Sequence, residues 1–118
     1  MRVLVCGSRN ADDYEVPKFI DIVESCNPSV IISGEAKGFD SLARVYAEAF
    51  GKEYIGFPAD WETHGKRAGP IRNAQMLTEG KPDIVVAFLR KDSKGTKNMI
   101  DQALKAGVEV KVIDVEIR

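Results

Sequence analysis

Three short runs, at residues 3–6, 30–32 and 84–88, are apolar at every position. A strand sends successive side chains to opposite faces, so a strand with no polar alternation must be covered on both sides. Between these runs the spacing of apolar residues changes to a helical period. Val16, Phe19, Ile20, Val23 and Cys26 share one face, as do Leu42, Tyr46, Ala49 and Phe50, and then Met99, Ile100, Ala103 and Leu104. A further helix is predicted from Pro70 toward Glu79, and further strands over 53–57 and 108–115. Asp12 or Asp13 is positioned to cap the first helix, with Pro17 in its first turn. Asn27-Pro28, Gly51, Gly80 with Pro82, and Gly107 supply the stops. Strands and helices thus alternate five strands deep. The pattern predicts a Rossmann-like three-layer α/β/α fold with a five-stranded, mainly parallel sheet, as a single domain over residues 1–118.

Composition narrows the classes of partner. Charged residues make up 30% of the chain with a net charge of −1, which gives no overall pull toward nucleic acid or an anionic membrane. No apolar run approaches the length of a membrane span, and Gly7-Ser8-Arg9 interrupts the N-terminus too early for a signal peptide. A cytoplasmic protein is expected, with no membrane partner. Cys6 and Cys26 lack metal-ligand spacing to each other or to His64, so two buried, reduced thiols and no metal site are expected. His64 has no acidic or nucleophilic partner nearby in sequence, and no catalytic role follows from it.

In a doubly wound sheet, ligands sit beyond the carboxyl ends of the strands. The unusual loops of this chain fall at that edge. The stretch 33–41 is a strand-to-helix turn in which Gly34 and Gly38 let backbone approach a ligand and the helix start aims free N–H groups at an anion. Asp40 either caps that helix or holds a ligand hydroxyl. Gly7, Ser8 and Arg9 place a flexible turn, a hydroxyl and a guanidinium after the first strand; Arg9 either grips a phosphate or is a solvated surface side chain. Gly69 and Pro70 open a helix whose first turn carries Arg72 and Asn73. A cation there opposes the helix dipole, which makes sense when an anion lies between them. Gly95 and Thr96 repeat the arrangement, with Thr96 also readable as an ordinary cap. Trp61, the one tryptophan, either stacks on a base or covers the sheet edge. Neither G-x-G-x-x-G nor a Walker A loop is present. Arg9, Lys37, Lys66, Arg67, Arg72, Arg90, Lys91, Lys94 and Lys97 share these loops with Asp12, Asp13, Glu35, Asp40, Asp60, Glu62 and Asp92. Such a mixed edge suits a small molecule carrying phosphates and sugar hydroxyls better than a long polyanion.

Taken in order, Gly7-Ser8-Arg9, Gly34-Glu35-Ala36-Lys37-Gly38-Phe39-Asp40, Pro58-Ala59-Asp60-Trp61, residues 65–73 ending in Gly69-Pro70-Ile71-Arg72-Asn73, and Gly95-Thr96 resemble the SLOG superfamily. The likeness is to its small YspA-like, YpsA-related branch and covers nearly the whole chain. This sequence has Glu35 where that branch usually has glycine, Lys37 for arginine and Phe39 for alanine. The resemblance implies a Rossmann-like domain that binds a nucleotide or a nucleotide-derived ligand of the NAD or ADP-ribose type. It is expected to act as a small sensor or binding domain rather than an enzyme, with no other cofactor expected. The implied ligand contacts are Gly7, Ser8, Arg9, Gly34, Ala36, Lys37, Gly38, Asp40, Asp60, Trp61, Gly69, Pro70, Arg72, Asn73, Gly95 and Thr96. A homodimer is implied too. Two relatives supply alternatives. The DNA-processing protein DprA is similar through Ser33-Gly34-x-Ala36-x-Gly38-x-Asp40 and Arg72-Asn73, which implies single-stranded DNA binding. The Lonely Guy phosphoribohydrolases are similar through the Gly-Thr turn and Arg72, but they use a Glu three residues after the Thr, and Met99 stands there in this chain.

Overall fold

The computed structural model describes residues 1–91 and 93–115; Asp92, counted above among the edge carboxylates, lies outside them, as does 116–118. Five strands form one sheet: β1 (Arg2–Gly7), β2 (Val30–Ser33), β3 (Glu53–Gly56), β4 (Ile84–Leu89) and β5 (Glu109–Asp114). Their spatial order is β3-β2-β1-β4-β5 and every pairing is parallel. The helices are α1 (Val16–Ser25), α2 (Phe39–Ala49), the single-turn α3 (Trp61–His64), α4 (Ala68–Gly80) and α5 (Lys94–Lys105). None of the described helices is long and apolar enough to cross a membrane.

The apolar runs are central strands buried on two faces, as their composition requires. Val3 and Val5 of β1, with Ile84, Val86 and Phe88 of β4, pack against Phe19 and Val23 of α1 and Phe39, Ala43 and Tyr46 of α2. The intervening residues Leu4, Cys6, Val85 and Ala87 face the other way, onto Met76 of α4 and Met99 and Ala103 of α5. Phe39 and Phe88 stack at 4.8 Å, with Phe19 at 5.0 Å from Phe88. The strand order reverses at β1 and β4, so their carboxyl ends diverge into different crossovers and leave a crevice between them. Cys6 is buried as expected, whereas Cys26, at the end of α1, is only half-buried.

Several local expectations shift. Asp12 precedes a turn of 3-10 helix (Asp13–Glu15) that leads into α1, and its side chain makes no capping bond. Helix α4 begins at Ala68, so Pro70 is its third residue rather than its first; a 3-10 turn (Gly65–Arg67) runs straight into it. Proline is accepted there because N–H groups of a first helical turn have no intrahelical partner to lose. Gly80 is the last residue of α4, and Lys81 takes the left-handed conformation that ends it. Arg2 then caps that end: its Nε and Nη2 donate to the Gly80 carbonyl at 2.9 and 2.6 Å. The same amino-terminal edge is stitched by Arg2 N–H to Asp83 Oδ2 at 2.7 Å and by Ser29 N–H to the Met1 carbonyl at 2.9 Å.

Arg90, grouped by sequence with the loop cations, is instead a buried strut. Its Nη2 meets Glu15 Oε1 at 2.6 Å, its Nε donates to the Asn10 carbonyl at 2.9 Å, and only 5% of the residue is exposed. The pair ties the β1–α1 loop to the end of β4. Replacing Arg90 with Met leaves the Glu15 carboxylate buried without its counter-ion, and a loss of about 3–5 kcal/mol is expected in urea unfolding. Adding Glu15→Leu is expected to restore more than half of that loss. A single-variant loss below about 1 kcal/mol would mean that water replaces the pair at no great cost.

Candidate functional site

At the carboxyl edge an open cavity of about 980 Å³ lies between the end of β1, the turn after β2 and the starts of α4 and α5. From the β1 loop come Gly7, Ser8 and Arg9; from the turn after β2, Gly34, Ala36, Lys37 and Asp40; and from the segment around α3, Trp61. Helix α4 supplies Gly69, Pro70, Arg72 and Asn73, and α5 supplies Gly95 and Thr96. Of the residues expected at a site, Gly38 and Asp60 alone do not line the cavity. Asp60 Oδ1 accepts from Thr63 N–H at 3.1 Å and caps α3. Gly38 has φ of +77°, and a Cβ there would run into the Ser8 and Arg9 backbone. It lets two loops touch, and the contact is sealed by Phe39 N–H donating to the Ser8 carbonyl at 3.1 Å.

Arg72 is the centre of the cavity wall. Its Nη1 donates to the Gly34 carbonyl at 2.5 Å and its Nε to Asn73 Oδ1 at 3.0 Å. A Cβ at Gly34 would overlap the guanidinium, so glycine is needed for the arginine to lie against the turn. Burial lowers the Arg72 pKa, partly offset by the nearby Asp40 carboxylate. Arg9, by contrast, is exposed at the mouth of the cavity.

Asp40 is the second residue of α2, not its cap. Its Oδ2 reaches back to accept from Ala36 N–H at 3.2 Å and closes the turn. Only 5% of it is exposed, and burial raises its pKa to about 6, against the pull of the Ala36 and Gly34 N–H groups and the Arg72 and Arg9 charges. Glu35, beside it, holds φ of +60°, the left-handed region that non-glycine residues seldom occupy. Ser33 Oγ accepts from Glu35 N–H at 3.3 Å and lies 2.9 Å from the Tyr54 hydroxyl.

The helix starts at the cavity lack side-chain caps. Arg67 precedes α4 and Ser93 precedes α5, and neither side chain makes a capping bond. Thr96 is therefore not the cap of α5 but lies within its first turn, buried. Trp61 is half exposed and its ring edge lies near Gly69. His64 is exposed at the end of α3 and does not line the cavity. Met99, where a phosphoribohydrolase would carry its Glu, is fully buried in the apolar core. Sequence reading took Cys6 as a buried thiol and did not place it, Met76 or Asn98 at the site, yet all three line the cavity. Asn98 stands three positions after Gly95 and four after Lys94, one helical turn along the same face, which is the signal that would have found it.

An all-parallel sheet of this order, with a cavity at its reversal point, defines a Rossmann-like α/β domain. Residues 1–64 match the YspA, cpYpsA-related SLOG family, and the chain belongs to that family. It is also similar to the gene 61 protein of Mycobacterium phage D29, with 35% identity over 120 residues that cover 92% of this chain and 93% of that protein. Among solved structures it resembles DNA processing protein A (DprA) from Streptococcus pneumoniae, with a TM-score of 0.79, 21% identity and 98% of this chain covered. DprA from Helicobacter pylori, a structure described for its single-stranded DNA binding mode, matches with a TM-score of 0.67 and 18% identity over 98% of this chain. The chain spans 51% and 66% of those two proteins, and the likeness is one of fold.

The Asp40 environment fixes a pH dependence of stability. Its folded pKa of about 6 lies above the ordinary value of 3.8, so between the two the folded state holds the proton more firmly than the unfolded chain. Stability from this group is therefore full below about pH 4 and is lost as pH rises through about 6, by roughly 3 kcal/mol at most. Asp40→Asn should flatten that part of the melting-temperature profile. An unchanged profile would show that Asp40 stays ionised throughout.

Proposed function

We propose that the cavity binds a nucleotide-derived ligand of the NAD or ADP-ribose type, and that the domain works as a small sensor or binding module. The carrying observation is the convergence of Arg72, seated on the Gly34 carbonyl, with the uncapped starts of α4 and α5 around one cavity. The start of α5, which has no side-chain cap, and the fixed guanidinium in the first turns of α4 form an anion-binding surface. A volume of about 980 Å³ is at the upper end for small-molecule sites and suits an extended ligand. Arg72 and Arg9 pair with phosphate, Asp40 accepts from a ribose hydroxyl, and Trp61 offers a face for a base. Lys37 and Lys66 add charge at the rim. The burial of Met99 speaks against phosphoribohydrolase chemistry at that position, and Asp60 is committed to capping α3. The family resemblance also implies a homodimer, for which exposed Val45 and Phe50 offer apolar surface.

The fold likeness to DprA supports a second reading, in which the same cationic edge holds single-stranded DNA. Calorimetric titration of NAD, ADP-ribose, AMP and a short oligothymidine separates the two. Arg9→Ala is the informative variant, because Arg72→Ala would also remove the bond to Gly34 and loosen the turn. With an exposed Arg9, melting is expected to stay unchanged while affinity for the ADP-ribose-type ligand falls about tenfold or more. Binding of the oligonucleotide alone would favour the DNA reading, and no binding of any of the four would refute the cavity proposal.

A further inference from the structure

A chain of side-chain amides runs along the cavity wall, and its polarity is forced from both ends. At one end is Arg72, whose guanidinium has donors and no acceptor. Its Nε–H must therefore meet the oxygen of Asn73, at 3.0 Å. That turns the Asn73 Nδ2 outward, where it donates to Asn98 Oδ1 at 3.0 Å and to the Gly95 carbonyl at 3.3 Å. At the other end is the Pro70 carbonyl, which can only accept. Gln102 Nε2 donates to it at 3.1 Å and to Asn98 Oδ1 at 2.7 Å. Asn98 thus receives donors from two sides on one oxygen. A flip of its amide would set N–H against N–H at both contacts, so the orientation is dictated by groups that cannot reverse.

The consequence concerns the other half of the Asn98 amide. Its Nδ2 carries two N–H groups with no partner among the described residues, on a half-buried side chain that lines the cavity. Lys94 lies one turn earlier on the same helix and Pro70 lies in the first turn of the facing one. We propose that Asn98 is a ligand-contacting residue whose Nδ2 donates to a phosphoryl oxygen held between the starts of α4 and α5, with Gln102 and Asn73 as positioning residues. This rests on the cavity being a nucleotide-type site and names the ligand group that this wall selects. A group that only accepts is matched by the free half of the Asn98 amide, which only donates. Ligands presenting N–H or O–H at this position are disfavoured.

Asn98→Asp tests the idea with little structural disturbance. Aspartate is the same size and accepts from Asn73 and Gln102 as before, so the relay stays satisfied. It replaces the free donors by an anionic oxygen. The titrations use wild type, Asn98→Asp and Arg9→Ala against ADP-ribose, AMP, pyrophosphate and adenosine. The expected result is a melting temperature at or above wild type for Asn98→Asp, with affinity for the phosphorylated ligands reduced about 10- to 100-fold. Weak adenosine binding should change less than twofold. In the free wild-type protein, the Asn98 side-chain amide protons should exchange with water faster than those of Asn73, and should shift when pyrophosphate is added. If Arg9→Ala weakens binding but Asn98→Asp stays within twofold of wild type, the Asn98 assignment fails and the cavity reading stands. If wild type binds none of the probes, both fall. Equal protection of the Asn98 and Asn73 amides would overturn the polarity argument whatever the ligand.

Discussion

The backbone of one residue, Ser8, holds the carboxyl edge of this domain together. The Ser8 N–H donates to the Phe88 carbonyl at 3.1 Å, and the Ser8 carbonyl accepts from Phe39 N–H at 3.1 Å. Two hydrogen bonds thereby join the end of β1 to the end of β4 and to the start of α2. Beneath them Phe39 stacks on Phe88, so the polar clasp and the apolar core fix the same geometry. Gly38 makes the approach possible by presenting no side chain to the Ser8 and Arg9 backbone. The turn that carries Asp40 and the seat of Arg72 hangs from this clasp. A residue that looks like one small loop position is the hub from which the cavity wall is measured.

Two opposite charges at the cavity wall are each held under the cost of burial. Arg72 and Asp40 are drawn close by the same turn, yet each is disfavoured by burial: the carboxyl is raised to about 6 and the guanidinium lowered. Arg9 adds a second positive group at the mouth. For the proposed ligand, fixed donors and fixed charges cost little further reorganisation on binding. Glu35 adds conformational strain beside them, with a left-handed backbone in a residue that has a side chain to accommodate.

Much of the fold could be read from the chain because the central strands have only one solution. A run such as residues 84–88, with no polar position, demands cover on both faces, and α2 and α5 provide it. The cavity-lining turns could be read because glycines, a proline and a cation at a helix start are costly without a purpose. What could not be read depends on distance in three dimensions. Glu15 and Arg90 are 75 residues apart and meet only after β1 and β4 pair. Asp40 looked like a cap because aspartate often caps, but the path of the turn brought Ala36 N–H to it first. The start of α4 was misplaced because a 3-10 turn merges with it before Pro70. Asn98 carries only its helical spacing from Lys94 and Gly95, and its meaning comes from a relay that closes when α4 and α5 pack.

The clamp at the opposite edge has a different significance. Arg2 holds the last carbonyl of α4 with two of its nitrogens, and Met1, Ser29 and Asp83 fasten the strand starts around it. The carboxyl end of α4 is thus anchored at the end opposite the residues it offers at its first turn. Under the proposed binding role, substitutions at the carboxyl edge alter recognition without touching the anchor, and the anchor can be strengthened without reshaping recognition. The domain is in this sense a chassis with an exchangeable head, and a designer wanting a new specificity has one edge to rewrite and another to leave alone.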